Sequence, residues 1–266
     1  MLIGRSRFLT PGLPLADQLA AALERGFHGL AILSDGPAPP TKGIEAARKA
    51  SGAGCPVVSW GALLPVEARG AAGTAAGAAA VAAALPQAGA FLRAVGAETL
   101  VVSPGSHVRS VQGTLEPRAA EQALESLARF VHVLGRSLGG FRIALAVEAA
   151  PAGLLAPDRL ALLFEDPSLR DLQYWHDTAA AEAREVAGLD QAGDWLDRFG
   201  RRMAGATLHD FSNDRDGRLP GEGSVDWQLL AEYLPQRAHR VLALAPSYPD
   251  EKALEARAAL TAFGIR

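Results

Sequence analysis

Three segments in the second half of the chain end in side chains that can bind a metal or move a proton. Each segment is a short apolar run, and the polar groups at the ends are Glu148, Asp177 and the pair His209-Asp210. A buried carboxylate is costly unless it is paired or binds a cation. Two carboxylates and one imidazole can hold a divalent ion (Mn, Zn, Mg or Fe) with open positions, and the same groups act as general acids and bases. The pattern therefore predicts a metal site, a proton-transfer site, or both.

These segments belong to an alternation of short apolar runs and helical patterns along the whole chain. The alternation repeats about eight times, and the continuous apolar runs are typical of parallel strands buried on both faces. A (β/α)₈ TIM barrel usually has about 250 residues, so the 266 residues predict one α/β barrel domain over residues 1–266. An open doubly wound sheet is the alternative, but no G-x-G-x-x-G follows the first strand. In a barrel, the strand ends at the C-terminal face form the active site.

The most distinctive stretch is residues 205–234, GATLHDFSNDRDGRLPGEGSVDWQLLAEYL. An apolar strand ends in His209-Asp210, a long polar loop leads to P-G-E-G, and an acidic-aromatic pair opens a helix. This stretch resembles the signature of the xylose-isomerase-like TIM barrels, a superfamily of sugar isomerases, epimerases and apurinic-site endonucleases. The resemblance covers essentially the whole chain and implies the same barrel fold.

The resemblance also implies roles for individual residues. Glu148, Asp177 and His209 match metal ligands of the family, and Glu148 also matches its catalytic acid/base. Asp210 is the candidate for a second catalytic group. The candidate substrate-binding residues are His176, Arg218, Glu222 and Trp60. Because side chains alternate along a strand, His176 is expected to point away from Asp177, and a packing role is the alternative for it.

The chain departs from the family pattern at several strand ends. Ala245 stands where the family has a metal-binding Glu on the eighth strand, and Ala31 stands where a Glu is usual on the second. In the family's D-T-G-H motif, the His is replaced by Ala180. One of the two carboxylates that the isomerase mechanism uses is therefore missing. A metal site with three protein ligands is expected to be weak, and its absence is the alternative.

Composition limits the partners. The net charge of −3 gives no basic field for nucleic acid, which argues against the endonuclease branch. No membrane-spanning apolar run is found, and the single cysteine, Cys55, suits a reducing cytoplasm. We expect a cytoplasmic protein with a small-molecule substrate. Whether it forms an oligomer stays open, since the Ala-rich helix at residues 71–84 can pack on the barrel or on another subunit.

Three functions are compatible with these residues. The first is a metal-dependent isomerase or epimerase-like enzyme with a reduced ligand set, acting on a small polyol, keto-sugar or related metabolite. The second is a catalytically degenerate barrel that binds a ligand or a partner. The third is a metal-dependent lyase or hydrolase on the same fold. The retained acidic and imidazole groups favour the enzyme.

Overall fold

Eight parallel strands close into a barrel in a computed structural model of the chain, as the sequence predicts. The model describes residues 2–5, 15–34, 57–60, 75–103, 117–148, 157–213, 215–245, 247–249 and 251–266. The barrel strands are β1 (Leu2–Arg5), β2 (Leu30–Ser34), β3 (Val57–Trp60), β4 (Thr99–Val102), β5 (Arg142–Leu145), β6 (Gln173–Asp177), β7 (Met203–Leu208) and β10 (His239–Leu242). Each strand pairs with the next along the chain, and β10 lies between β7 and β1 to complete the circle.

Helices follow most of the strands and cover the outside of the barrel. They are α1 (Leu15–Glu24), α2 (Ala75–Ala94), α3 (Pro117–Ser137), α4 (Pro157–Glu165), α5 (Thr178–Val186), α6 (Ala192–Phe199), α7 (Trp227–Tyr233) and α8 (Lys252–Ala262). Apolar side chains of the helices and of the outward strand positions form one large buried cluster. No helix within the described ranges has the length and apolar content needed to cross a bilayer.

The sequence predicts a loop for the polar stretch after β7, but the structure has two short strands there. It forms an antiparallel hairpin of β8 (Asp210–Ser212) and β9 (Arg215–Arg218), in which Asp210 pairs with Arg218. The strands are short and rich in charged residues, so the hydrophobic pattern used to find strands has nothing to detect there. The hairpin follows directly from the carboxyl end of β7 and therefore lies at the functional face of the barrel.

A tryptophan fills the inside of the barrel. Trp175 is 2% exposed and belongs to a separate inner cluster with small residues from other strands. Its indole N–H donates to the Thr207 hydroxyl at 2.9 Å. A Cβ atom at Gly205 would lie 2.5 Å from the indole ring, so β7 needs a glycine opposite this side chain. Ala31 is one of the small residues in this cluster, and its position accommodates the indole.

Charged and polar side chains close the opposite end of the barrel, at the start of the strands. Arg142 donates to Glu98 Oε2 at 2.9 Å and to the Nε2 of His239 at 2.7 Å. His239 is 4% exposed. Burial, and then the positive charge of Arg142, lower the pKa of His239 from 6.5 to about 4. The imidazole is therefore neutral in the folded chain at neutral pH.

We expect acid to destabilise the fold through His239. In the unfolded chain this histidine gains a proton near pH 6.5, whereas in the folded chain it does so only near pH 4. The unfolded state binds more protons between these values, so stability is intact above pH 6.5 and falls as the pH drops toward 4. The loss should reach up to about 3 kcal/mol.

Urea unfolding curves at several pH values between 4 and 7.5 measure this effect. In His239→Gln the slope over this range should shrink, and in the exposed His132→Gln it should match that of the unmodified protein. An unchanged slope in His239→Gln would show that another group controls the acid sensitivity.

Candidate functional site

The residues predicted for the site come from the carboxyl ends of β5, β6 and β7. Glu148 lies three residues beyond β5, Asp177 ends β6, and His209 follows β7 directly. The Nε2 of His209 is 2.8 Å from Asp177 Oδ1. The Asp177 side chain is 23% exposed and that of His209 is 9% exposed. Of the predicted acidic groups at these three strand ends, Asp177 is therefore the one that solvent or a substrate reaches.

Glu148 is part of a buried network beneath this pair. Its Oε1 accepts hydrogen bonds from the Tyr174 hydroxyl and from the backbone N–H of Asp177, both at 2.7 Å. The Nδ1 of His176 lies 2.7 Å from the same hydroxyl and 3.1 Å from Glu148 Oε1. The Glu148 side chain is 0% exposed, and its Oε2 has no hydrogen-bond partner among the residues that the structure describes. Burial, and then the charge of Glu148, raise the pKa of Tyr174 far above its ordinary value.

His176 lies on the side of β6 that the alternation of side chains predicts. It is 3% exposed and contacts Tyr174 and Glu148 rather than the space beside Asp177. This placement agrees with the packing alternative. Tyr174 was not identified from the sequence as part of the site. Its position two residues before His176, on the same face of the same strand, is the signal that indicates it.

Asp177 also begins α5. Its Oδ1 accepts the backbone N–H of Ala180 at 3.0 Å, which satisfies one of the free donors at the helix start. Burial alone would raise the pKa of Asp177. His209, the Ala180 N–H and His176 together outweigh burial and hold this pKa below the ordinary value. The carboxylate is thus ionised and held in one orientation.

The arrangement offers a metal ion few open ligand atoms. Glu148 Oε1 is taken by neighbouring donors, and Asp177 Oδ1 by Ala180 and His209. The backbone N–H of Gly217 donates to the Nδ1 of His209 at 3.1 Å. Across the described residues, no three or more His, Cys, Asp or Glu side chains are grouped to hold a metal. The three predicted ligands are neighbours, but most of their donor atoms serve hydrogen bonds within the protein.

Asp210 organises the loop behind the site. It is 0% exposed. Its Oδ1 accepts the backbone N–H groups of Phe211 at 2.9 Å and Val225 at 3.1 Å. Its Oδ2 accepts the N–H of Gly221 at 2.7 Å and the indole N–H of Trp227 at 3.0 Å. Four donors therefore surround this carboxylate, and all four come from the segment that follows it in the chain rather than from Asp177 or His209.

The P-G-E-G motif is explained by this carboxylate. A Cβ atom at Gly223 would overlap the Phe211 carbonyl and Asp210 Oδ1. The backbone at this position must therefore approach the carboxylate more closely than any side chain allows. In this structure, the glycines of the motif let the loop close around Asp210.

The other predicted substrate-binding residues lie on the hairpin and the loops beside it. Tyr248 OH donates to Glu222 Oε2 at 2.7 Å, and Arg218 Nη1 lies 3.4 Å from the same hydroxyl. The Nε of Arg218 is buried, with no hydrogen-bond partner in the described part of the chain. Trp60 ends β3, and its side chain lies outside the described part of the structure. The structure brings Arg218 and Glu222 together, and their binding roles stay predictions.

Comparison with known proteins shows similarity in structure only. No protein-family model and no curated sequence matches the chain. It is similar to the 3-keto-D-glucoside 4-epimerase YcjR of E. coli, with 16% identity, 98% of each chain covered and a TM-score of 0.68.

Two further solved structures have the same TM-score of 0.68. D-psicose 3-epimerase of Clostridium cellulolyticum, solved with D-tagatose, is 14% identical over 99% of this chain and 97% of its own. The IolI protein, solved with a zinc atom, is 13% identical over 99% of this chain and 97% of its own. These matches confirm the predicted fold: the chain is a TIM barrel similar in structure to these solved proteins.

Proposed function

We propose that this protein is an isomerase- or epimerase-like enzyme that acts on a small polyol, a keto-sugar or a related metabolite at the C-terminal face of the barrel. The observation that carries the proposal is the Asp177–His209 pair, which is partly exposed and lies where parallel barrels place reacting groups. The solved neighbours that are sugar epimerases support the substrate class.

We propose that Asp177 accepts a proton from the substrate or a hydrogen bond from a substrate hydroxyl. Its carboxylate is 23% exposed and is fixed by His209 and the start of α5. A general base must come within hydrogen-bond reach of the proton that it removes. Glu148, predicted to be the main acid/base, has a side chain that is 0% exposed. It holds the Asp177 backbone through the N–H, so we assign it a positioning role.

The missing eighth-strand carboxylate limits the reaction. Epimerisation by proton transfer needs one base to remove a proton and a second group to return it on the other face. With Ala245 at the second position, a single base removes and returns the proton on one face, which allows isomerisation between adjacent carbons but no inversion at one carbon. Such a site exchanges a substrate C–H proton with solvent, and a positioned base contributes about 10²–10⁴-fold to that rate.

The proposal predicts deuterium incorporation. Keto-sugars, polyols and sugar phosphates are incubated with the protein in D2O, with and without Mn and Zn, and followed by NMR. One substrate of this class that has a carbonyl group should gain deuterium at the carbon next to that carbonyl. Asp177→Asn should slow the exchange by about 10²-fold or more, and Glu148→Gln should slow it less.

Asp194→Asn, on the outer helix α6, is the matched control and should exchange at the unmodified rate. Exchange that persists in Asp177→Asn would remove the proposed role of Asp177. The absence of exchange with every substrate, in a folded protein, would count against the enzyme.

The second candidate is a barrel that binds such a compound without converting it. The filling of the barrel interior by Trp175, with Ala31 beside it, favours this function because the small residue leaves no carboxylate at that strand. Binding by calorimetry without deuterium exchange would identify it. The lyase or hydrolase function gains no support from these contacts.

A further inference from the structure

One residue of the β8–β9 hairpin connects it to the ends of two barrel strands. The backbone N–H of Gly217 donates to the Nδ1 of His209 at 3.1 Å, and the Gly217 carbonyl accepts the N–H of Ala245 at 2.8 Å. His209 follows β7 and Ala245 follows β10. A single peptide segment thus joins the seventh and eighth barrel strands across the functional face.

The space at this contact is filled. A Cβ atom on Gly217 would lie 2.8 Å from the Ala245 nitrogen and 3.1 Å from the Ala245 Cβ, and Gly217 has a φ of +71°. Both the left-handed backbone and the close approach require glycine. The backbone of the hairpin is therefore in close contact with Ala245.

The hydrogen bond from Gly217 also defines the state of His209. Since a backbone N–H is only a donor, the Nδ1 that receives it is unprotonated. The ring proton then belongs on Nε2, which lies 2.8 Å from Asp177 Oδ1. Both ring nitrogens therefore have partners, and a metal ion would have to displace one of them.

We propose that Gly217 holds the hairpin against His209 and Ala245, and that this contact, called the latch below, stands in place of a metal centre. The Gly217 N–H binds the Nδ1 of His209, and the Gly217 carbonyl binds the backbone of Ala245, the position at which a fourth, carboxylate ligand would stand. While the latch is closed, the chain holds no divalent ion at Glu148, Asp177 and His209. This inference does not depend on whether the protein converts a substrate, because its tests measure metal and hydrogen exchange.

The first test uses the unmodified protein. Long-range ¹H–¹⁵N NMR of the imidazoles should show His209 with its proton on Nε2, and this signal should not move on titration with Zn or Mn. The Gly217 amide should exchange with D2O more than about tenfold slower than an unprotected amide. Binding of one equivalent of either ion that is lost in His209→Ala, or an unprotected Gly217 amide, would overturn the proposal.

The second test opens the latch with two substitutions of equal size. Ala245→Glu and Ala245→Gln both place a long side chain against Gly217, so hydrogen-exchange mass spectrometry should show faster exchange over residues 210–218 in each. Only Ala245→Glu adds an anionic ligand, so only this variant should bind one equivalent of Zn or Mn in calorimetry.

Unchanged exchange in both variants would contradict the latch. Faster exchange in Ala245→Glu without metal binding would contradict the claim that the latch stands in the metal's place. If either variant fails to fold, the first test still decides.

Discussion

Asp210→Asn is expected to lower the free energy of unfolding by about 3 kcal/mol, because a buried charge with four donors loses its charge and half of its acceptors. The amide of asparagine has one oxygen, whereas the carboxylate accepts on both oxygens. In either orientation, the new NH2 group points at two N–H donors. Denaturation in urea, followed by circular dichroism and tryptophan fluorescence, measures the change.

Asp226→Asn is the matched control for this prediction. Asp226 lies in the same loop, is exposed, and accepts only the N–H of Leu229, at 2.9 Å, as the cap of α7. Asparagine caps helices as well as aspartate does, so the free energy of unfolding should change by less than about 0.5 kcal/mol. Equal effects of the two substitutions would show that Asp210 does not organise the loop.

Gly205→Ala should have a comparably large effect, for a steric reason. The added methyl group would lie 2.5 Å from the ring of Trp175 and 2.6 Å from the backbone carbonyl of His239. The indole fills the barrel interior, and the carbonyl belongs to the neighbouring strand β10, so neither can move freely. Overpacking of this kind costs about 1–3 kcal/mol, and we expect the upper end of that range in urea denaturation.

Gly193→Ala provides the control of identical chemistry. Gly193 lies in α6, and its added methyl would make ordinary contact with Leu229 at 3.6 Å. Alanine is the better helix former by about 0.5–1 kcal/mol, so this variant should be neutral or more stable. A Gly205→Ala protein as stable as Gly193→Ala would mean that Trp175 does not occupy the barrel interior.

The sequence predicts the barrel because its strands are apolar runs, and each run can be recognised from a few consecutive residues. It also predicts that Glu148, Asp177 and His209 are neighbours, because the ends of parallel strands meet at one face. What it does not show is which atoms these side chains contact. The partner of the His209 Nδ1 is a backbone N–H, which every residue except proline has, so residue type gives no indication of it.

Asp210 illustrates the same limit. Its neighbour His209 suggests a place in the site, but its side chain is surrounded by donors from the loop 11 to 17 positions further on. These donors reach it only when the loop has closed around it. Conversely, the loss of the eighth-strand carboxylate is visible from the sequence as Ala245, while the hairpin that covers this alanine is found only in the structure.

The loop around Asp210 explains the residues on which the family resemblance rests. These residues are not the ones proposed to react with a substrate. The stretch on which the resemblance rests has glycines and a tryptophan that surround a carboxylate and so fold a loop. The loop needs these residues to fold whether or not the chain converts a substrate. An activity assigned to this chain from the stretch alone would therefore rest on residues that fold a loop, whereas Ala245 and Gly217 lie beside the Asp177–His209 pair itself.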